Sequence, residues 1–175
     1  PLQKVRISGG GRGNIAHRCC DPRELVRGYP RGAKELLGPF TRFGPRETVA
    51  WFEEHGVRLK TEDDGRMFPV TDQSSTVVDC LVGAAREAGI HLRVGANVKS
   101  ISSVLTSVPQ FEIELTDGSR ERYDRVLLAT GGNPAGYRIA ASLGHSIVPC
   151  VPSLFTFNVS DPRLAGLSGV AFENV

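Results

Sequence analysis

Two glycine-rich segments hold the residue types best suited to cofactor chemistry. Ser8-Gly9-Gly10-Gly11-Arg12-Gly13-Asn14 sets three consecutive glycines beside a guanidinium and a carboxamide. Ala129-Thr130-Gly131-Gly132 follows the apolar run Val126-Leu127-Leu128 and leads into Asn133-Pro134. Glycine lets a backbone turn sharply and approach a ligand with no Cβ in the way. The Arg12 fork can pair with a phosphate, and the Asn14 amide can hydrogen-bond a ribose or a ring edge. A helix starting at Asn133-Pro134 would present free N–H groups and its positive dipole end to an anion. Each segment alone is equally compatible with a tight turn that binds nothing. The first is not a dinucleotide fingerprint, because GxGxxG counted from Gly9 requires glycine where Asn14 stands.

Other chemistry is poorly represented. Ser8, Ser74 and Ser153 lack a nucleophile elbow, and His17, His55, His91 and His145 are scattered and read as surface or structural histidines. Asp63 and Asp64 sit in a turn. Arg66-Met67-Phe68-Pro69 places a cation and a ring after that turn, suited either to a cofactor or to a sheet edge. Cys19, Cys20, Cys80 and Cys150 show no CxxC spacing and read as reduced thiols of an intracellular, cytoplasmic protein. His17 with Cys19 and Cys20 is the one conceivable zinc set; no metal is expected, and no catalytic residue can be named.

A length of 175 residues fits one domain, or one domain and part of a second. With 40% apolar and 23% charged residues the composition is that of a globular protein, and the net charge is only +2. No basic run is interleaved with aromatics, which argues against a nucleic-acid partner. No apolar stretch approaches the roughly 18 residues of a membrane span. A small-molecule substrate is the expected partner, and the oligomeric state is not readable. The first residue is Pro rather than Met, so either the natural start has been removed or the chain is a piece of something longer.

The elements that must position these groups follow from spacing. Lys4 to Ser8 alternates like a short strand, and Asp21-Pro22 starts a helix that Gly28 stops. Pro45 opens a helix through His55 with Val49 and Phe52 on one face, and Val57 to Lys60 alternates as a strand. Ser74-Ser75-Thr76 offers caps for the clearest helix, whose Val77, Val78, Leu81, Val82, Ala85 and Ala88 repeat at helical spacing up to Gly89. A strand is expected near Ile90 to Val94. Val98 to Val104 and the alternating Phe111, Ile113 and Leu115, with a turn at Asp117-Gly118, predict an antiparallel meander. Arg125 to Ala129 reads as a strand buried on both faces. Asn133-Pro134 begins a helix with Ile139, Ala140 and Leu143 inward, and Leu154 to Val159 begins another strand.

The ordered set of motifs resembles the HI0933-like (BaiN/RsdA-like) FAD/NAD(P)-dependent oxidoreductases. Its members are Ser8-Gly9-Gly10-Gly11-Arg12-x-Asn14, Thr48-x-x-Trp51-Phe52-x-x-x-Gly56-Val57, Gly65-Arg66-x-Phe68-Pro69, Ala129-Thr130-Gly131-Gly132, Gly136-Tyr137-x-x-Ala140, Gly144-His145-x-Ile147 and Pro152-Ser153-Leu154. The resemblance implies an α/β chain, part of a two-dinucleotide-binding flavoprotein fold with an antiparallel β-meander. Residues 1–149 would form an incomplete FAD/NAD(P)-binding domain, and residues 150–175 the start of an inserted β-rich domain. It implies FAD as cofactor, contacted by Gly9, Gly10, Gly11, Arg12 and Asn14, by Ala129, Thr130, Gly131 and Gly132, and by the backbone at Val98 near the adenine. NAD(P)H is the implied donor.

The family's strand–GxGxxG–helix would lie before residue 1, so the 175 residues alone are expected to hold FAD weakly or not at all. The chain departs from the family pattern at Gly13, Ala16 and His17, and in a shortened segment before Gly136. Two other readings stand beside this one: a degenerate relative acting as a structural or interaction module, and an enzyme using NAD(P) alone through Thr130-Gly131-Gly132.

Overall fold

The computed structural model describes residues 2–105, 110–151 and 160–167. They fall into two compact units divided between Gly95 and Ala96. The architecture is mixed α/β, with one small antiparallel sheet in each unit.

In the first unit, α1 (Gln3–Ile7) runs into a 3-10 turn over Ser8–Gly11, followed by β1 (Ala16–His17), α2 (Pro22–Leu25) and α3 (Ala33–Arg42). Then come α4 (Pro45–Glu54), β2 (Leu59–Thr61), β3 (Arg66–Pro69) and the long α5 (Ser74–Glu87). The sheet order is β1-β3-β2, with Ala16 opposite Met67 and Lys60 opposite Phe68. Phe52, Val57 and Val77 form the buried core, with Val5, Ile15, Trp51, Leu59, Cys80 and Leu81 packed against it. Along α5, Val77, Val78 and Leu81 of the expected repeat aim inward, whereas Ala88 lies past the helix end and is exposed.

The first expected strand is instead helical. Lys4-Val5-Arg6-Ile7 forms most of α1 and packs on α5, where the Ser74 hydroxyl donates to the Arg6 carbonyl at 2.7 Å. Four alternating residues cannot distinguish the two states when one apolar side chain, Val5, does the anchoring. Ser74 is thus the first helical residue of α5, with Gln73 as the uncapped flanking residue. Asp21 does cap α2, its carboxylate accepting from the Arg23 N–H at 2.8 Å.

At α4 the cap residue is Gly44, and Glu47 reaches back to accept the Gly44 N–H at 2.8 Å. This is half of a capping box, since glycine offers no side chain in return. That backbone hydrogen bond is the leading reason the Glu47 carboxyl is held below its ordinary value of 4.5. Its contribution to stability is full above that value and is lost as pH falls through the lower folded value. Glu47→Gln, which does not titrate, is therefore expected to melt below the native protein at neutral pH, with the gap narrowing as pH falls from 4.5 through the lower folded value. A gap that stays constant across that range would refute the assignment.

In the second unit β4 (Val98–Val104), β5 (Gln110–Leu115) and β6 (Arg120–Tyr123) form the expected meander in the order β4-β5-β6. Asp117-Gly118 makes the turn, with Gly118 at φ +87°. Ile101, Leu115 and Ile139 are buried, the last on α6 (Pro134–Ser142). Asn133 caps α6 by accepting from the Ala135 N–H at 2.9 Å, as the sequence predicts.

The expected strands at Ile90–Val94 and Arg125–Ala129 do not form. Leu127 is 90% exposed, the opposite of the burial on both faces expected of its segment, and Val94 is 71% exposed. A strand needs a neighbour to complete its ladder, and among the described residues neither segment has one. The expected strand at Leu154–Val159 and most of the proposed β-rich start lie outside the described residues.

Candidate functional site

The Gly9–Asn14 loop is held down by Phe68 at the end of β3. Phe68 is fully buried. A Cβ on Gly9 would stand 2.6 Å from Phe68 Cε1, and Gly9 has φ +58°, so only glycine closes this contact. Gly13 is equally constrained, by Val77 at 2.8 Å and Ser74 at 3.0 Å. Gly10 differs. It too has a left-handed φ of +68°, yet nothing lies within 4 Å of where its Cβ would be. Two glycines thus serve the protein's own packing, and Gly10 leaves bare backbone open to a ligand.

Arg12 lies with its guanidinium 4.0 Å from the Phe68 ring centroid, a cation–π contact. Its two terminal nitrogens donate to the Glu62 carboxylate, the second at 3.3 Å, and Asp72 lies 3.8 Å away. The Glu62 hydrogen bond leads in raising the Arg12 guanidinium above its ordinary value. Arg12 is therefore spoken for by carboxylates and a ring. The phosphate pairing that its residue type suggests would have to compete with Glu62.

Charges of both signs alternate outward from this point. Lys60 pairs with Asp72, Arg66 donates to Asp64 at 2.5 Å, and Arg66 also lies 3.8 Å from Glu62. Three cations and three carboxylates form one balanced chain around Phe68. The Arg66 backbone N–H, first, and the Arg66 side chain hold the Asp64 carboxyl below its ordinary value.

Beside the loop opens a cleft of about 420 Å³. Asn14, His17 and Arg66 line it together with Tyr29, Phe40 and Phe43. The Tyr29 and Phe40 rings are 5.7 Å apart and tilted by 50°. Gly65 fixes the floor, since a Cβ there would meet His17 Nε2 at 2.5 Å. His17 Nδ1 accepts from the Cys19 N–H at 3.1 Å, so its Nε2 carries the proton and donates to the Asp64 carbonyl at 3.1 Å. Both ring nitrogens are used structurally, which agrees with the sequence reading of this histidine. Among the described residues no group of three or more His, Cys, Asp or Glu is arranged to hold a metal.

In the second unit the Ala129–Gly132 turn leads into α6 as its motif requires, with Gly131 at φ +58°. Thr130 packs so closely on buried Gly136 that any Cβ there would overlap its hydroxyl. Val98 opens β4 opposite Leu115, next to a register shift before Ser100.

Glu62, Asp72, Tyr29, Phe40 and Phe43 were not singled out from the sequence. The crowding of three rings into residues 29–43 was the available signal for the cleft. Nothing in the spacing marks Glu62 or Asp72.

The family model of the HI0933-like protein Rossmann domain matches residues 1–175, the whole chain. The chain belongs to the HI0933-like family. It is 30% identical over 176 residues to a 3-dehydro-bile acid delta(4,6)-reductase of Clostridium scindens, covering 96% of this chain and 41% of that protein. It is 27% identical over 186 residues to a ribosomal RNA dihydrouridine synthase of Escherichia coli, covering 100% of this chain and 44% of that protein. The chain thus spans less than half the length of these relatives. Among its described residues no helix is long and apolar enough to cross a membrane.

Proposed function

We propose that the chain is part of an FAD-dependent oxidoreductase that passes a hydride from a nicotinamide donor to an activated C=C bond. Family membership and the reductase relative support a flavin-dependent oxidoreductase in general. The names of both relatives describe changes at a double bond, which supports the acceptor class. The single observation that carries the reading is the bare, left-handed backbone at Gly10, on a loop clamped in place by Phe68.

These residues fit a flavin. Gly10 and Gly11 offer backbone without side chains, and among the described residues the Asn14 carboxamide has no hydrogen-bond partner. Arg12, stacked on Phe68 and paired with Glu62, fixes the loop and keeps its charge compensated. Bound FAD would supply the redox chemistry, and the protein's part is to hold and orient it. Ala129 to Gly132 and Val98 are assigned to FAD by the order of family motifs alone. Substrate is assigned as a small molecule and the compartment as cytoplasmic.

A visible spectrum of the full-length protein as purified tests this directly. Bound oxidised flavin is expected, bleached anaerobically by NADH or NADPH. A colourless, fully folded protein that takes up no added FAD would instead favour the structural-module reading. Uptake of a nicotinamide nucleotide without flavin would favour the NAD(P)-only enzyme.

A further inference from the structure

We propose that Asp72 is a second seat for the Arg12 guanidinium. Moving from Glu62 to the buried Asp72 Oδ1, Arg12 releases one terminal N–H group to a ligand on the Gly9–Asn14 loop. The exchange is a property of the chain's own residues, and its use by a flavin rests on the proposed function.

Two features of Asp72 point to this. Its backbone is left-handed at φ +54°, a conformation that persists only where the surroundings impose it. Its carboxylate is also half used. Oδ2 takes the Lys60 ammonium, whereas Oδ1 is buried and among the described residues has no hydrogen-bond partner. An acceptor left unmet in this way is costly. Arg12 Nη1 lies 3.8 Å from Oδ1. A shift of about 1 Å would bring the two to hydrogen-bond length.

On Glu62, Arg12 spends both terminal nitrogens, Nη1 on Oε1 and Nη2 on Oε2. On Asp72 it meets one free oxygen, which occupies Nη1 and leaves Nη2 open. No other pair has to break. Lys60 stays on Oδ2, and Arg66 keeps Nε on Asp64. Arg66 Nη2, 3.8 Å from Glu62, then takes the vacated carboxylate. Phe68 serves both guanidiniums, with its ring centroid 4.0 Å from Arg12 and 5.5 Å from Arg66. Such contacts hold out to about 6 Å, so Arg12 can slide across the ring without leaving it. Arg12 Nε donates to the Gly9 carbonyl at 3.4 Å, which ties the movement to the loop that bares Gly10. An arginine already paired can thus serve a ligand with its charge compensated throughout.

Trypsin cleavage after Arg12 in the full-length protein, read as the peptide that begins at Gly13, tests the exchange without flavin. The protease must take the Arg12 side chain itself, so the rate follows the population in which both carboxylates have let go. Glu62→Gln is expected to be cut within about twofold of the native rate, because Asp72 takes the guanidinium over. Glu62→Gln combined with Asp72→Asn is expected to be cut about tenfold faster or more. Asparagine is chosen because it tolerates the left-handed backbone. Far-UV circular dichroism checks that each variant is folded. Glu62→Gln cut as fast as the double variant, or about tenfold faster than the native protein, would overturn the proposal. So would a folded double variant cut at the native rate.

FAD titration of the flavin-free forms reads the released N–H group. Asp72→Asn is expected to weaken FAD binding by about tenfold. Removal of a negative charge would by itself favour an anion, so the expected sign opposes simple electrostatics. Glu62→Gln is expected to bind FAD at least as tightly as the native protein, its competing carboxylate neutralised. Unchanged or tighter binding by Asp72→Asn would overturn the proposal. A protein that takes up no FAD yet shows the expected cleavage pattern sinks only the proposed oxidoreductase. One that binds FAD equally in all three forms sinks only the exchange.

Discussion

Phe68→Ala is expected to destabilise the first unit by about 3–5 kcal/mol, the cost of emptying a fully buried aromatic site. The side chain has no exposed surface, supports Gly9 from below and carries the Arg12 guanidinium on its face. Its loss leaves a cavity and removes the support of the loop in one step. Against a total stability on the order of 5–15 kcal/mol, this is a large fraction. Thermal midpoints should fall by roughly 12–40 °C, at about 4–8 °C per kcal/mol. A Phe68→Ala protein that melts within about 1 kcal/mol of the native one would show that the ring is not the loop's foundation.

The glycines give the second large effect, and they are expected to separate. Gly9→Ala and Gly10→Ala both force a left-handed residue to carry a Cβ, costing roughly 1–2 kcal/mol each. Only at Gly9 does the new methyl also strike Phe68, 2.6 Å away. Overpacking of that kind adds about 1–3 kcal/mol. Gly9→Ala should therefore unfold markedly earlier, and Gly9→Ala with Phe68→Leu should regain part of the loss, a coupling that denaturant titration of the double variant measures.

Gly10→Ala should instead fold with a modest penalty and lose flavin out of proportion to it, because its backbone is open to a ligand. Equal destabilisation by the two substitutions would refute the packing argument. Unchanged flavin content in Gly10→Ala would remove Gly10 from the cofactor's path.

Much of the local structure was legible. Asp21-Pro22, Gly44-Pro45 and Asn133-Pro134 all mark helix starts, because caps and proline act through the neighbouring backbone alone. The meander was equally plain, since alternation in Phe111–Leu115 and a turn at Asp117-Gly118 need only each other. The misreadings share a cause. Arg125–Ala129 has the composition of an inner strand, but a strand is a property of a pair, and the described residues give it no partner. Lys4–Ile7 found α5 in place of a sheet, and Val5 served the helix as well as it would have served a strand.

By itself the sequence determined which loops are rich in glycine, where helices begin, and the family to which the order of motifs belongs. The tertiary structure alone decided what each glycine is for. Gly9 and Gly13 yield to Phe68 and Val77, whereas Gly10 faces open space, and no spacing rule distinguishes three adjacent glycines. It likewise decided that Arg12 answers to Glu62, fifty positions away, and that Tyr29 and Phe40 share a cleft with Arg66. Such relations are set by chain folding over long separations, where residue type gives a capacity and only the packed neighbour gives it a use.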